Sequence, residues 1–225
     1  MNKLTSSNAN KILVFDTETT DLIRKDESGN RIFGYVIQLS FIGYDIEKET
    51  IEYNEDLIIN VPQHVKITEE SIALHGINRE ISNKGIEMKN ALKIFKNALE
   101  WCECLVAHNM YYDKTMIMEE CHRNNYSKKM NFNRNKKGNY IPEYCTMKHG
   151  TNLCKIEKYN QKNNTTYFKY PKLEELYRHL FNEEPTGMHN AFVDILLTIK
   201  CYLKMTRDVE SNEINKLLLH FNQAY

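Results

Sequence analysis

The chain has 225 residues, 41% of them hydrophobic, enough for one sizeable domain with its own core. Thirty Lys and Arg balance thirty Asp and Glu, so net charge neither demands nor excludes a polyanionic partner. No apolar run approaches a bilayer-spanning length, and the start, MNKLTSSNANK, lacks the apolar stretch of a secretion signal. The expected setting is therefore cytoplasmic, with a nuclear or virus-associated one as the alternative, and not secretion. The six cysteines are too few, in too long a chain, for a disulfide scaffold, and C-x-C at Cys102 and Cys104 is not a zinc knuckle. They read as reduced and partly buried thiols.

Residues 1–9 are polar and read as a disordered tail, followed by a domain over 10–207 and a C-terminal helix within 208–225. Lys11 to Phe15 is a β-branched, apolar burst and predicts a buried strand. Asp21 to Gly34 is polar with a Gly29-Asn30 turn. Tyr35 to Tyr44 and Ile51 to Asn60 predict two more strands joined as a hairpin. Thr68 opens a short helix that His75-Gly76-Ile77 ends. Met88 to Cys102 is amphipathic, with Ala91, Leu92, Phe95, Ala98 and Leu99 on one stripe. Leu105 to His108 is a short buried strand, and Tyr112 to Asn124 is helical.

Residues 123–138 carry six Lys or Arg and no acid. With Tyr126 and Phe132 interleaved, this loop suits a path for a single strand, although a solvated charge run reads the same way. Residues 155–170 read as a polar, Asn-rich loop. Helices follow over Leu173–Phe181 and His189–Thr206, and a last one over 210–222 carries Leu217, Leu218 and Phe221 as its stripe. Three strands first, then helices alternating with short buried strands, predict an α/β fold: a mixed five-stranded sheet flanked by helices.

The first strand ends Asp16-Thr17-Glu18-Thr19. Alternation places Asp16 and Glu18 on one face, where two carboxylates repel unless a cation lies between them. Hard divalent cations prefer such oxygen ligands, although two solvated acids are the competing reading. A second segment, His108-Asn109-Met110-Tyr111-Tyr112-Asp113, delivers Asp113 to a helix start, where an acid also suits the helix dipole. A third, His189-Asn190-Ala191-Phe192-Val193-Asp194, sets Asp194 in apolar surroundings, where a bare carboxylate is costly. His189 lies about 140° around an ideal helix from Asp194. Both can face one point if His189 is at the helix entry.

The order D-x-E, H-N-x-x-[FY]-D, H-x-A-x-x-D resembles the DEDDh exonucleases, the DnaQ-like branch of the ribonuclease H-like superfamily, over about Lys11 to Leu203. His five residues before Asp194, with Asn190 in place of tyrosine, resembles the histidine branch. His75-Gly76-Ile77 resembles a family element lining the nucleotide pocket. Cys145-Thr146-Met147-Lys148 and Pro171-Lys172-Leu173-Glu174-Glu175-Leu176 resemble a block of microbial and viral members.

The resemblance implies a ribonuclease H-like fold and 3′-5′ exonuclease activity on single-stranded nucleic acid, DNA favoured over RNA, releasing nucleoside 5′-monophosphates. It implies two Mg²⁺ ions, with Mn²⁺ as substitute, roughly 3.5–4 Å apart. Asp16 would touch both, Glu18 and Asp194 would complete the nucleophile side, and Asp113 would hold the second. His189 would be the general base. Thr17, Thr19, Leu22, His75, Ile77 and Asn109 would meet the substrate, while His108 is structural. A polymerase is a candidate partner, and oligomeric state is not legible. An RNA-trimming enzyme, a non-catalytic polymerase accessory and a zinc module built on Cys102, Cys104, Cys121 and His122 are the alternatives.

Overall fold

A computed structural model describes residues 8–185 and 190–224, with side chains through 220. Strand β1 (Lys11–Thr19) is the centre of the sheet. A small hairpin, β2 (Arg24–Lys25) and β3 (Arg31–Ile32), follows it. Long strands β4 (Val36–Asp45) and β5 (Thr50–Ile58) then return antiparallel. Short helices α1 (Glu69–His75) and α2 (Arg79–Asn83) lead to α3 (Met88–Trp101). Thr68 caps α1 by accepting from Ser71 N, and Gly76 at φ 76° closes it in the left-handed conformation that glycine adopts without strain.

β6 (Cys104–Ala107) runs parallel to β1, and α4 (Met110–Arg123) leaves its end. β7 (Glu143–Cys145) pairs parallel to β6 and feeds α5 (Thr146–Cys154). Then come a second hairpin, β8 (Glu157–Asn160) and β9 (Thr165–Phe168), and helices α6 (Leu173–Phe181), α7 (Ala191–Arg207) and α8 (Asn212–Ala224). The sheet order is β5-β4-β1-β6-β7, three antiparallel strands continued by parallel ones, as the sequence predicts.

Side-chain parity on β1 sorts the core into two layers. Odd-numbered Leu13 and Phe15 face α3 and α4, where Phe95 meets Phe15 and Phe41 edge-on at 5.5 and 5.3 Å. Even-numbered Ile12 and Val14 face α7, against Ile195, Leu196 and Ile199. α6 packs on the outer side of α7 through Leu176 and Tyr177. The C-terminal helix lies on the domain: Ile214 is fully buried, and Tyr44 OH and Ser211 Oγ are 2.8 Å apart.

Three expectations need correction. Ala9, expected in the disordered tail, is fully buried, and its carbonyl accepts from Arg207 Nη2 at 2.6 Å; a small apolar residue ahead of β1 completes the layer under α7. Residues 155–170 are not a loop: they include the β8–β9 hairpin. Tyr126 and Phe132 are not stacking surfaces, because they are 5% and 7% exposed and pack into the α3–α4 layer.

Candidate active site

The carboxyl ends of β1, β6 and β7 converge at one edge of the sheet, where open α/β sheets commonly bind ligands. Parity carries the α7-facing series of β1 onward from Ile12 and Val14 to Asp16 and Glu18. Asp194, in the first turn of α7, meets them there. One oxygen from each of Asp16, Glu18 and Asp194 lies within 4.8 Å of the others, and all three residues are half-buried. Asn190 caps α7, accepting from Phe192 N at 3.0 Å and Val193 N at 3.3 Å, so Asp194 sits at the positive end of the helix dipole.

Asp113 arrives from the other layer. It is 2% exposed, and its Oδ1 accepts from Thr17 N at 3.2 Å and Thr17 Oγ1 at 2.8 Å. Thr17 points to the α4 side by parity, so the strand end is where acids from both layers can meet.

Burial pushes the Asp16 carboxyl well above the usual range, and the charges of Asp113, Glu18 and Asp194 push it further. Burial, then Asp194 and Asp113, raise Glu18 to about 8. Burial raises Asp113 to about 7 against the lowering effect of its Thr17 hydrogen bonds. The carboxylates thus repel one another in a partly desolvated space. A hard divalent cation among the oxygens of Asp16, Glu18 and Asp194 would relieve that repulsion, so the donor set fits such a metal. Among the described residues no other group of three or more His, Cys, Asp or Glu gathers in this way. That leaves the zinc reading of Cys102, Cys104, Cys121 and His122 without a cluster.

The remaining candidates divide. Thr19 Oγ1 is 2.8 Å from Tyr112 OH and donates to Asp21 O at 3.0 Å. His75 Nδ1 accepts from Ile77 N at 3.0 Å, which leaves Nε2 to donate to Thr19 O at 3.3 Å. His75 therefore braces the end of β1, and burial lowers its pKa. Leu22 is 66% exposed, and its N donates to Asp21 Oδ1 at 2.8 Å. Ile77 is 5% exposed and packs in the α3–α4 layer. Asn109 adopts φ 70° at the turn into α4, a left-handed geometry asparagine tolerates, and lines a 350 Å³ cleft with Asp194 and Tyr170. His108 is held between Thr146 Oγ1 at 2.9 Å and Pro171 O at 3.2 Å. Burial lowers its pKa to about 4, so it is a neutral structural link. His189 lies outside the described residues.

Two contributors were not singled out from sequence. Tyr112, just before Asp113, braces Thr19, and its place in the second acidic motif was the available signal. Tyr170 enters the cleft from a segment that reads as an ordinary loop. The basic stretch 134–139 lies elsewhere. Lys136 N bonds Glu100 O, and Asn135 Nδ2 bonds Cys102 O, near Lys11 at the start of β1. Five residues of strand, about 17 Å, separate that end from Asp16.

Residues 13–202 match the ribonuclease T-type exonuclease family. The chain belongs to that family, the DnaQ-like DEDDh exonucleases. Comparison with curated proteins by sequence yields no match. Among solved structures, E. coli exonuclease I in complex with a dA16 oligonucleotide is similar with a TM-score of 0.65 at 15% identity, covering 96% of this chain and 44% of that one. A 3′-exonuclease, solved in 3′-end-specific recognition of a histone mRNA stem-loop, is similar with a TM-score of 0.62 at 13% identity, covering 92% and 67%. At these identities the likeness is one of fold. The exonuclease-family chain spans less than half the length of exonuclease I. Among its described residues no helix is long and apolar enough to cross a membrane.

Proposed function

We infer that this chain is a metal-dependent 3′-5′ exonuclease acting on single-stranded nucleic acid, DNA in preference to RNA, and releasing nucleoside 5′-monophosphates. The observation that carries the reading is the meeting of Asp16, Glu18 and Asp194 oxygens within 4.8 Å at the end of β1, in a chain of an exonuclease family.

Asp16, Glu18 and Asp194 would hold divalent metal, and Asp113 would complete a second position beside Asp16. Two Mg²⁺ ions, replaceable by Mn²⁺, would neutralise charge on the attacking and leaving oxygens. The chain's own groups do the rest. Thr17 holds Asp113 in place, while Tyr112 and His75 fix the strand end through Thr19. Exposed Leu22 packs against the terminal base, and Asn109 orients the terminal nucleotide from the cleft. His189, two positions ahead of Ala191 in the sequence, would take the proton of the attacking water, the general-base role that the family resemblance implies for it. A polymerase is the expected partner of the DNA-directed reading.

The test is digestion of matched DNA and RNA oligonucleotides, labelled at the 5′ end, with Mg²⁺, Mn²⁺ or EDTA. A ladder shortening from the 3′ end, nucleoside 5′-monophosphate products and EDTA inhibition are expected, faster on DNA. Faster loss of RNA would reverse the substrate assignment. No digestion with either metal would leave a non-catalytic binding module and end the enzyme reading.

A further inference from the structure

The β8–β9 hairpin has features that the fold of the domain does not require. Every residue of both strands except Asn160 is exposed, so neither face serves the core. Isolated two-stranded hairpins are marginal in water. This one is held by local devices. Lys162 N donates to Asn160 Oδ1 at 3.0 Å, and Asn164 takes the left-handed conformation at φ 56°. The ladder continues from Lys169 N to Ile156 O at 2.9 Å. At the base Lys169 pairs with Glu175 at 2.5 Å, and Pro171 O receives His108.

What the hairpin displays is aromatic and basic. Tyr159, Tyr167, Phe168 and Tyr170 are 55%, 45%, 44% and 57% exposed. Within 155–172 lie five lysines and one acid, Glu157, in a chain of zero net charge. Lys169 and Lys172 pair with Glu175 and Glu174, whereas exposed Lys155, Lys158 and Lys162 form no salt bridge among the described residues.

The register sets the direction. Glu157 faces Phe168, and Tyr159 faces Thr166, so Tyr159 and Phe168 share one face. Tyr170, two residues beyond Phe168, continues that line into the 350 Å³ cleft that Asp194 and Asn109 border. A row of exposed rings thus leads from the acids outward along about 14 Å of strand. Rings spaced along a positively charged support are the usual means of holding unpaired bases without reading their sequence.

Resting on the exonuclease reading, we propose that the β8–β9 hairpin is the platform for the single strand behind the scissile end. Tyr170, Phe168 and Tyr159 stack successive bases, and Lys155, Lys158 and Lys162 attract the phosphates. The platform is sequence-tolerant and takes DNA or RNA through chemistry common to both.

The experiment compares kcat/KM for a 20-nucleotide single strand and for a dinucleotide, using wild type and Tyr159→Ala/Phe168→Ala. Both side chains are exposed, so folding is preserved; the melting temperature checks this. The long-to-short preference is expected to fall at least tenfold, as loss of stacked bases would give. In Lys155→Gln/Lys158→Gln/Lys162→Gln, the slope of log kcat/KM against log salt on the 20-mer is expected to become shallower by about 2. An unchanged preference together with an unchanged slope would overturn the proposal and leave the hairpin to a protein partner. If wild type degrades neither substrate, the enzyme reading fails by itself. Anisotropy of a labelled 20-mer in EDTA with the same variants then still decides the hairpin: equal affinity in all of them would sink it.

Discussion

Replacing Glu18 by Gln should stabilise the metal-free protein and abolish its response to metal. Three carboxylate oxygens lie within 4.8 Å of one another. At an effective dielectric constant of about 20, two full charges at that distance repel by about 3–4 kcal/mol. The folded protein answers by keeping Glu18 protonated up to about pH 8, against 4.5 for an ordinary glutamate. Between those values the native state holds a proton that the unfolded chain releases, so stability falls as pH rises through the window and is lowest above it. The shift from 4.5 to about 8 sets an upper limit of about 5 kcal/mol, and partial relaxation leaves a few. Glu18→Gln removes the charge and keeps the shape. In EDTA at pH 8 its Tm should exceed wild type by roughly 5–10 °C, given about 2–4 °C per kcal/mol for a chain of this size. At pH 4.5 the two should melt together. Millimolar Mg²⁺ or Mn²⁺ should raise the wild-type Tm at pH 8 and leave the variant nearly unmoved. A variant less stable than wild type in EDTA at pH 8, or a wild-type Tm indifferent to both metals, would refute the clustered-carboxylate argument.

Other outcomes follow from the same geometry. His189→Ala should keep the metal-induced rise in Tm while losing about 10²–10⁴ in kcat, the usual share of a general base; near-wild-type turnover would remove His189 from that role. Thr17→Val deletes the 2.8 Å bond to buried Asp113, so the carboxyl should titrate above its present value of about 7. Scanning calorimetry in EDTA should show a loss of about 1–3 kcal/mol at pH 8 and a smaller one at pH 5, where Asp113 is protonated in both proteins. Phe95→Ala empties the junction of Phe15, Phe41 and Phe132 and should cost about 3–5 kcal/mol in urea denaturation. A loss below about 1 kcal/mol would mean that the α3 layer carries little of the stability.

The central architecture was legible because its signals are local and periodic. Ile12, Leu13, Val14 and Phe15 announce a buried strand, and the period of 2 puts Asp16 and Glu18 on one face before any tertiary contact is known. Thr68 and Gly76 bound α1 by capping chemistry that depends only on neighbouring residues. The stripe of α3 is equally explicit: Ala91, Leu92, Phe95, Ala98 and Leu99 are all buried. The order of the three acidic motifs sufficed for the family.

Tertiary structure decided what parity and period leave open. Tyr126 and Phe132, set among basic residues, read from sequence as stacking surfaces; in the fold both turn inward, and stretch 134–139 lies at the wrong end of β1. An aromatic side chain in a charged loop has the same local sequence whether it faces core or water, and only packing distinguishes them. The β8–β9 hairpin was hidden for the opposite reason, since a ribbon solvated on both faces has no apolar alternation to betray it. Asp113 belongs to a different layer from Asp16, Glu18 and Asp194, and no spacing along the chain reveals that Thr17 brings the layers together. Alternation alone sets Asp16 against Glu18, but the repulsion that Asp113 and Asp194 add acts through space and came into view only once the strand end and two helix starts had converged.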